Sequence, residues 1–351
     1  MLKSLRAVAR FFQNSIGWNR IGVLLSIAII SVAAVVLLHM LRDIDTDEVI
    51  SALKATQPHH IAAAAFFVAC GYFTLTFYDL FALRTIGRNE IPYRIAALTG
   101  FTSYSIGHNI GATVFTGGAV RYRIYSMYGL DAIEVAKICF IAGLTFWLGN
   151  ATVLGLGVAY HPEAAVPIDQ LPPWANRVIG LAMLAVLVSY VIWVWSAPRV
   201  IGQGEWKVRL PSGPSTLVQI CIGILDLGFC ALAMYMLLPG EPNIDFVTIA
   251  VVFVSATLLG FASHAPGGLG VFDAAMLVAL WQFDKESVLA GLLLFRLLYY
   301  IVPFALALII LGTRELWLNF KGARRRGKPE LIRSVTAPIR TEIESGKTDA
   351  D

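Results

Sequence analysis

Charge is what this sequence lacks most. Only 14% of the 351 residues are Asp, Glu, Lys or Arg, against 57% hydrophobic, and the mean hydropathy is +0.70. A soluble domain of this length needs far more charge to cover its surface, so that class is excluded. Cysteine is scarce as well. Cys70, Cys139, Cys221 and Cys230 sit singly in apolar blocks, without the CxxC spacing of a metal or redox pair, and read as small buried hydrophobes. There is no Walker loop, no HExxH and no GxSxG. The chain therefore offers no catalytic nucleophile, metal site or cofactor motif, and ATP-driven transport and intramembrane proteolysis have no support. A small-residue cleavage site after the first apolar block is also missing, so no signal peptide is expected.

What is present comes in apolar blocks of about 20 residues, the length that crosses a hydrocarbon core about 30 Å thick. These blocks run at 21–41, 61–83, 95–116, 138–160, 178–196, 216–238, 246–283 (interrupted) and 288–312. The net charge of +4 is mild, and its Lys and Arg gather at the two ends and in two loops. That distribution is a topology signal, with basic loops cytoplasmic, and it does not suggest nucleic acid. Residues 1–20 alternate Leu2, Leu5, Val8 and Phe12 with Lys3, Arg6 and Arg10. They form either a short helix on an anionic leaflet or a basic start that only sets orientation.

The loops fix the expected topology. The N-terminus, the loop with Arg84, Arg88 and Arg94, the loop at 197–214 and the tail at 313–351 are basic and inside. The loops holding Asp43–Glu48, Glu163 with Asp169, and Glu241 with Asp245 are acidic and outside. With those assignments the third block starts and ends inside, and the seventh starts and ends outside. Neither can be a simple crossing. The expected architecture is an all-α polytopic membrane protein of six full spans and two re-entrant hairpins. Crossing, crossing, hairpin, crossing occurs twice in opposite orientation within 21–312 (halves 21–160 and 178–312), an inverted repeat of the kind transporters use.

Ionisable residues inside a membrane are costly and usually have a partner or a task. Asp79 is followed by Thr116-Gly117-Gly118-Ala119-Val120-Arg121-Tyr122-Arg123, and Asp226 by Pro266-Gly267-Gly268-Leu269-Gly270-Val271-Phe272-Asp273. Each half thus places an acid on a helix, then a Gly-Gly break that opens a charged helix. A helix starting within the membrane presents unpaired N–H groups to an anion, and glycine lets a headgroup come close. Arg121 and Arg123 add charge able to grip a phosphate, or else mark the interface. Asp79 and Asp226 can pair with Arg121 or Arg296, hold a proton, or read the cationic part of a substrate. Asp273 can charge the start of its own helix. Arg296 is then a counter-ion for Asp226 or Asp273, or a second anion ligand. His108, Asn109 and His264 flank the breaks and satisfy loosened backbone or relay protons. Tyr122, Tyr125, Tyr128, Trp147, Trp193 and Trp195 read as interfacial belts.

The stretch from His108 to Gly129 and the motif at 266–273 resemble the lysylphosphatidylglycerol synthase/flippase family of bacteria. The likeness covers that family's N-terminal transmembrane region, approximately residues 15–320 here. It implies a flippase module in the bacterial cell membrane, termini cytoplasmic, that exposes aminoacylated phosphatidylglycerol and so protects against cationic peptides. It also implies that Asp79, Arg121, Asp226 and Asp273 fall at polar positions of that module. The tail at 313–351 is too short and polar for an aminoacyltransferase domain, so no synthase activity is expected. Asp273 stands where the family more often has Glu. The partners implied are a membrane phospholipid and, on a second reading, a separate lipid aminoacyltransferase that this chain would anchor. A homo-oligomer stays open.

Overall fold

The computed structural model describes residues 46–326 apart from 112, 205, 264–267 and 269, together with Ser31 and Val35. The basic segment at 1–20, the apolar block at 21–41 other than Ser31 and Val35, His264, Gly267 and the tail beyond 326 lie outside the described residues.

Helix α1 (Thr46–Ala55) leads to α2 (Pro58–Thr85), which opens on a proline already fixed at helical φ and ends before Gly87 at φ +87. Helix α3 (Tyr93–Ile110) is broken from α4 (Thr113–Tyr125) at Gly111, whose φ of +82 suits glycine alone. The two halves fold back on each other. Gly107 faces Thr113, and a Cβ on Gly117 would lie 3.1 Å from the Ser103 carbonyl oxygen. Helix α5 (Ala132–Tyr160) starts from a capping box in which Asp131 and Glu134 accept each other's backbone N–H.

Helix α6 (Pro173–Ser196) is apolar nearly all round and packs chiefly on α5, leaving most of its surface for lipid. The loop after it holds a two-stranded antiparallel ladder, β1 (Val200–Ile201) with β2 (Val208–Arg209). This small piece of sheet departs from the expected all-α chain. Gly202 and Gly204, at φ +90 and +62, make the turn. Helix α7 (Gly213–Leu237) follows. Then α8 (Phe246–Ala262) and α9 (Val271–Ala279) form a second folded-back pair, with Gly268 at φ +65 against Gly260. Helix α10 (Lys285–Phe295) passes through a π-helical turn at Arg296–Ile301 into α11 (Val302–Arg326).

Among the described residues, five stretches are long and apolar enough to cross a membrane: α2, α5, α6, α7 and Lys285–Leu318. They coincide with five of the six expected spans, the sixth being the block at 21–41. The chain is a multi-pass membrane protein. The third and seventh blocks are the two broken pairs, α3–α4 and α8–α9.

Helices α2 and α7 form the central contact and run in opposite senses. Gly71 meets Phe229 and Cys230, whereas Tyr78, about two turns further, meets Asp226. Close approach of α5 to α7 rests on glycine, since a Cβ at Gly223 would sit 2.7 Å from Gly149 Cα. At the membrane edge Arg88 donates Nε and Nη2 to Glu134 at 2.7 and 2.8 Å, and that hydrogen bonding raises the guanidinium above its ordinary value. The pair is partly exposed, so Arg88→Ala is expected to lower stability by at most about 1 kcal/mol in thermal melts, less at high salt.

The main packed unit ends at Leu311. Residues from Gly312 form a second unit, of which α11 is described up to Arg326.

Candidate functional site

Three polar groups are brought together or held apart in the core by α2, α4, α7 and the π turn. The first is an ion pair. Asp79 is fully buried and Arg121 is 3% exposed. Arg121 Nε donates to both Asp79 oxygens at 3.0 and 3.1 Å, and Nη2 adds a bond of 2.7 Å to Oδ1. Tyr125 donates its hydroxyl to Oδ2 at 2.7 Å, and the guanidinium lies 4.7 Å from the centre of the Tyr104 ring. Four donated hydrogen bonds and a cation thus neutralise this carboxylate within the bundle.

Asp226, on the neighbouring helix, is held differently. It is 5% exposed, and its Oδ2 accepts one bond of 3.0 Å from the Tyr78 hydroxyl. Its Oδ1 has no partner among the described residues. Neither Arg121 nor Arg296 reaches it. The third group is Arg296 with Asp273, paired at the start of α9, where Asp273 also accepts the Gly270 N–H at 3.1 Å. Both side chains are 22% exposed, so this pair opens toward the outside of the bundle.

The two helix breaks meet. The His108 ring, just before the first break, lies 6.4 Å from Phe261, just before the second. It also stacks at 6.2 Å on Tyr299 of the π turn. A π turn leaves carbonyls without their usual helical donors, and two are met from outside. Tyr72 OH donates to Tyr299 O at 2.9 Å, and Asn109 Nδ2 donates to Tyr300 O at 3.2 Å. Asn109 therefore satisfies loosened backbone, whereas His108 is held by ring contacts with Tyr104, Phe261 and Tyr299.

Several expectations need correcting. Gly117 and Gly118 do not open a helix; they lie inside α4, and the break falls at Gly111. Their small size serves packing instead, Gly117 against Ser103 and Gly118 against Cys139. Arg121 is consequently in the second half of its helix and turned to Asp79, not toward an open helix start. Arg123 is half-buried on the same helix. Tyr125 belongs to the buried ion-pair cluster rather than to an interfacial belt, while Trp147, Trp193 and Trp195 are exposed. In the second half the expectation fares better. Gly268 sits in the break with φ +65, and α9 starts at Val271 with Asp273 in its first turn.

Sequence reading overlooked Tyr72, Tyr78, Tyr104 and Tyr299. Part of the signal lay in helical spacing: Tyr72 and Asp79, seven residues apart, fall on one buried face of α2.

No family model matches the chain. Among curated proteins, an uncharacterized protein of Synechocystis sp. is 28% identical over 284 residues, spanning 80% of this chain and 88% of that protein. The inner membrane protein YbhN of Escherichia coli is 28% identical over 288 residues, spanning 79% and 87%. The phosphatidylglycerol lysyltransferase of Staphylococcus haemolyticus is 24% identical over 297 residues, which are 81% of this chain but 33% of the lysyltransferase. The likeness to these proteins thus extends over most of this chain. It covers two relatives nearly end to end and about a third of the lysyltransferase.

Proposed function

We propose that this chain is a lipid translocase that moves an anionic phospholipid, or its aminoacylated form, between leaflets without ATP. The headgroup passes where the two broken helices meet. The observation that carries this reading is the junction of His108, Phe261 and the π turn, which joins both breaks inside one bundle. In this reading α3–α4 and α8–α9 are re-entrant hairpins entering from opposite faces. The opposed directions of α2 and α7, each carrying a buried aspartate, are what an inverted repeat requires. The chain acts in a bacterial inner membrane, both termini cytoplasmic, and makes or breaks no covalent bond itself.

The chemistry assigns roles to the charged groups. Arg121 is committed to Asp79, so it shapes the core. Arg296 is 22% exposed, and its bond to Asp273 can be exchanged for a phosphate while Asp273 keeps the Gly270 N–H. Gly268 and Gly270 add no side chain of their own at that helix start.

The test is reconstitution of the full chain into vesicles holding headgroup-labelled phosphatidylglycerol or lysylphosphatidylglycerol, with a membrane-impermeant quencher reporting sidedness. Label should cross faster than in protein-free vesicles, and Arg296→Gln should slow it about tenfold, the factor that 1.4 kcal/mol carries. Rates equal to protein-free vesicles for every lipid would end the translocase reading.

A second reading is favoured by the lysyltransferase match, in which this region is about a third of a larger enzyme. There the chain anchors or feeds a separate lipid-modifying enzyme. Co-purification of such an enzyme, with no lipid movement by the isolated chain, distinguishes it.

A further inference from the structure

The two buried aspartates are chemically unequal, and the difference points to a ligand smaller than a lipid. Asp79 accepts four hydrogen bonds and faces a guanidinium. Asp226, as deeply placed, accepts one bond from a neutral hydroxyl and leaves Oδ1 without a partner among the described residues. An anion so held has no cation among the described residues to offset the loss of hydration. The neutral acid lacks only one hydrogen bond, a far smaller deficit. Nothing larger than a proton needs to reach it.

The groups around Asp226 strengthen this. From α2 it faces Tyr72 and Tyr78, from α3 Tyr104, from the π turn Tyr299, and from its own helix Cys230. All are neutral. Of the other helices packed on α7, α8 has no titratable residue in its whole length. Helix α10 carries Lys285 and Glu286 at its exposed start, and α6 carries Arg177, bound to the Ala159 carbonyl, and Tyr190 in a separate cluster. Helix α5 brings Cys139, which faces Arg121 and Asp79. Among the described residues, the cation near this layer is Arg121, and it is already taken by Asp79.

We propose that Asp226 is a proton-binding site, protonated when the core is closed as seen here, and that its proton couples to the lipid step. The coupling rests on the translocase reading; the proton site does not. When the core opens, water or a cationic headgroup amine reaching Oδ1 favours the carboxylate and the proton leaves. Reclosing requires it back. Each cycle then carries one proton on and one off, with no change in oxidation state.

Infrared spectroscopy of the full chain in phosphatidylglycerol vesicles tests the site. Wild type should show a carboxylic C=O band at neutral pH that shifts in D2O and vanishes at alkaline pH. Asp226→Asn should lose that band while melting no lower than wild type, and Asp226→Glu should keep a shifted one. Tyr78→Phe removes the single donor to the anion, so its midpoint should move up by about one pH unit or more. Identical carboxyl bands in wild type and Asp226→Asn, at every pH where circular dichroism shows folded protein, would overturn the proton site. A pH gradient across the lipid-movement vesicles should change the wild-type rate and leave Asp226→Asn unaffected. A wild-type rate indifferent to the gradient removes the coupling. Absence of any lipid movement tells against the translocase reading alone, since the band is measured without transport.

Discussion

Arg121→Ala is expected to destabilise the protein by about 3–5 kcal/mol, the cost of leaving a buried carboxylate without its cation. Asp79 would keep only the Tyr125 hydroxyl as a donor among the bonds it now accepts. In detergent the variant should melt well below wild type, and Arg121→Lys should recover only part of the loss, because an ammonium cannot reproduce the paired bonds of Nε and Nη2. Replacing both partners by apolar residues, Asp79→Leu with Arg121→Met, should return stability to near the wild-type value. That double variant separates two roles. If the pair only holds α4 on α2, lipid movement returns with stability. If the pair parts during the cycle, the double variant melts normally and moves lipid no faster than protein-free vesicles.

The second large effect is steric. A Cβ on Gly223 would meet Gly149 Cα at 2.7 Å and Thr145 O at 2.9 Å, both backbone atoms that cannot swing aside. Gly223→Leu should therefore cost about 3 kcal/mol, the upper end of overpacking in a core. It should also break the 2.8 Å bond from Gln219 to Thr145 that pins the same helix contact. Because Asp226 lies one turn further along α7, the displacement reaches the Tyr78 bond. Thermal melting reads the first effect, and loss of the Asp226 carboxyl band at neutral pH reads the second. Gly149→Leu should do the same from the other helix, and a variant pair that melts like wild type would show that the helices do not cross at these glycines.

The spans were legible because the bilayer imposes their length. Apolar blocks bounded by Pro58, Pro173 and Pro214 could hardly be anything but α2, α6 and α7. The pairing of Arg296 with Asp273 was likewise among the expected options, as few charges compete inside a membrane. The first break was misplaced because Gly117-Gly118 is the louder glycine signal. The residue that turns the chain is Gly111, and what distinguishes it is a positive φ imposed by the fold-back, invisible in a one-dimensional pattern. The π turn at Arg296–Ile301 has no local sequence signature either. It depends on Tyr72 and Asn109 arriving from distant helices to satisfy its carbonyls. The tyrosines of the core were missed for a related reason: an aromatic ring in a membrane protein reads as an interfacial anchor until its hydroxyl is seen bonded inside.

The most direct measurement is a thiol cross-link between the two breaks. His108→Cys and Phe261→Cys are introduced together in a chain whose Cys70, Cys139, Cys221 and Cys230 are serine, with a protease site placed in the loop between β1 and β2. Oxidation or a short bifunctional maleimide in native membranes, followed by cleavage, should leave the two fragments joined, and neither single variant should do so. Fragments that separate freely, although both cysteines react with a monofunctional maleimide, would mean that the broken helices do not meet.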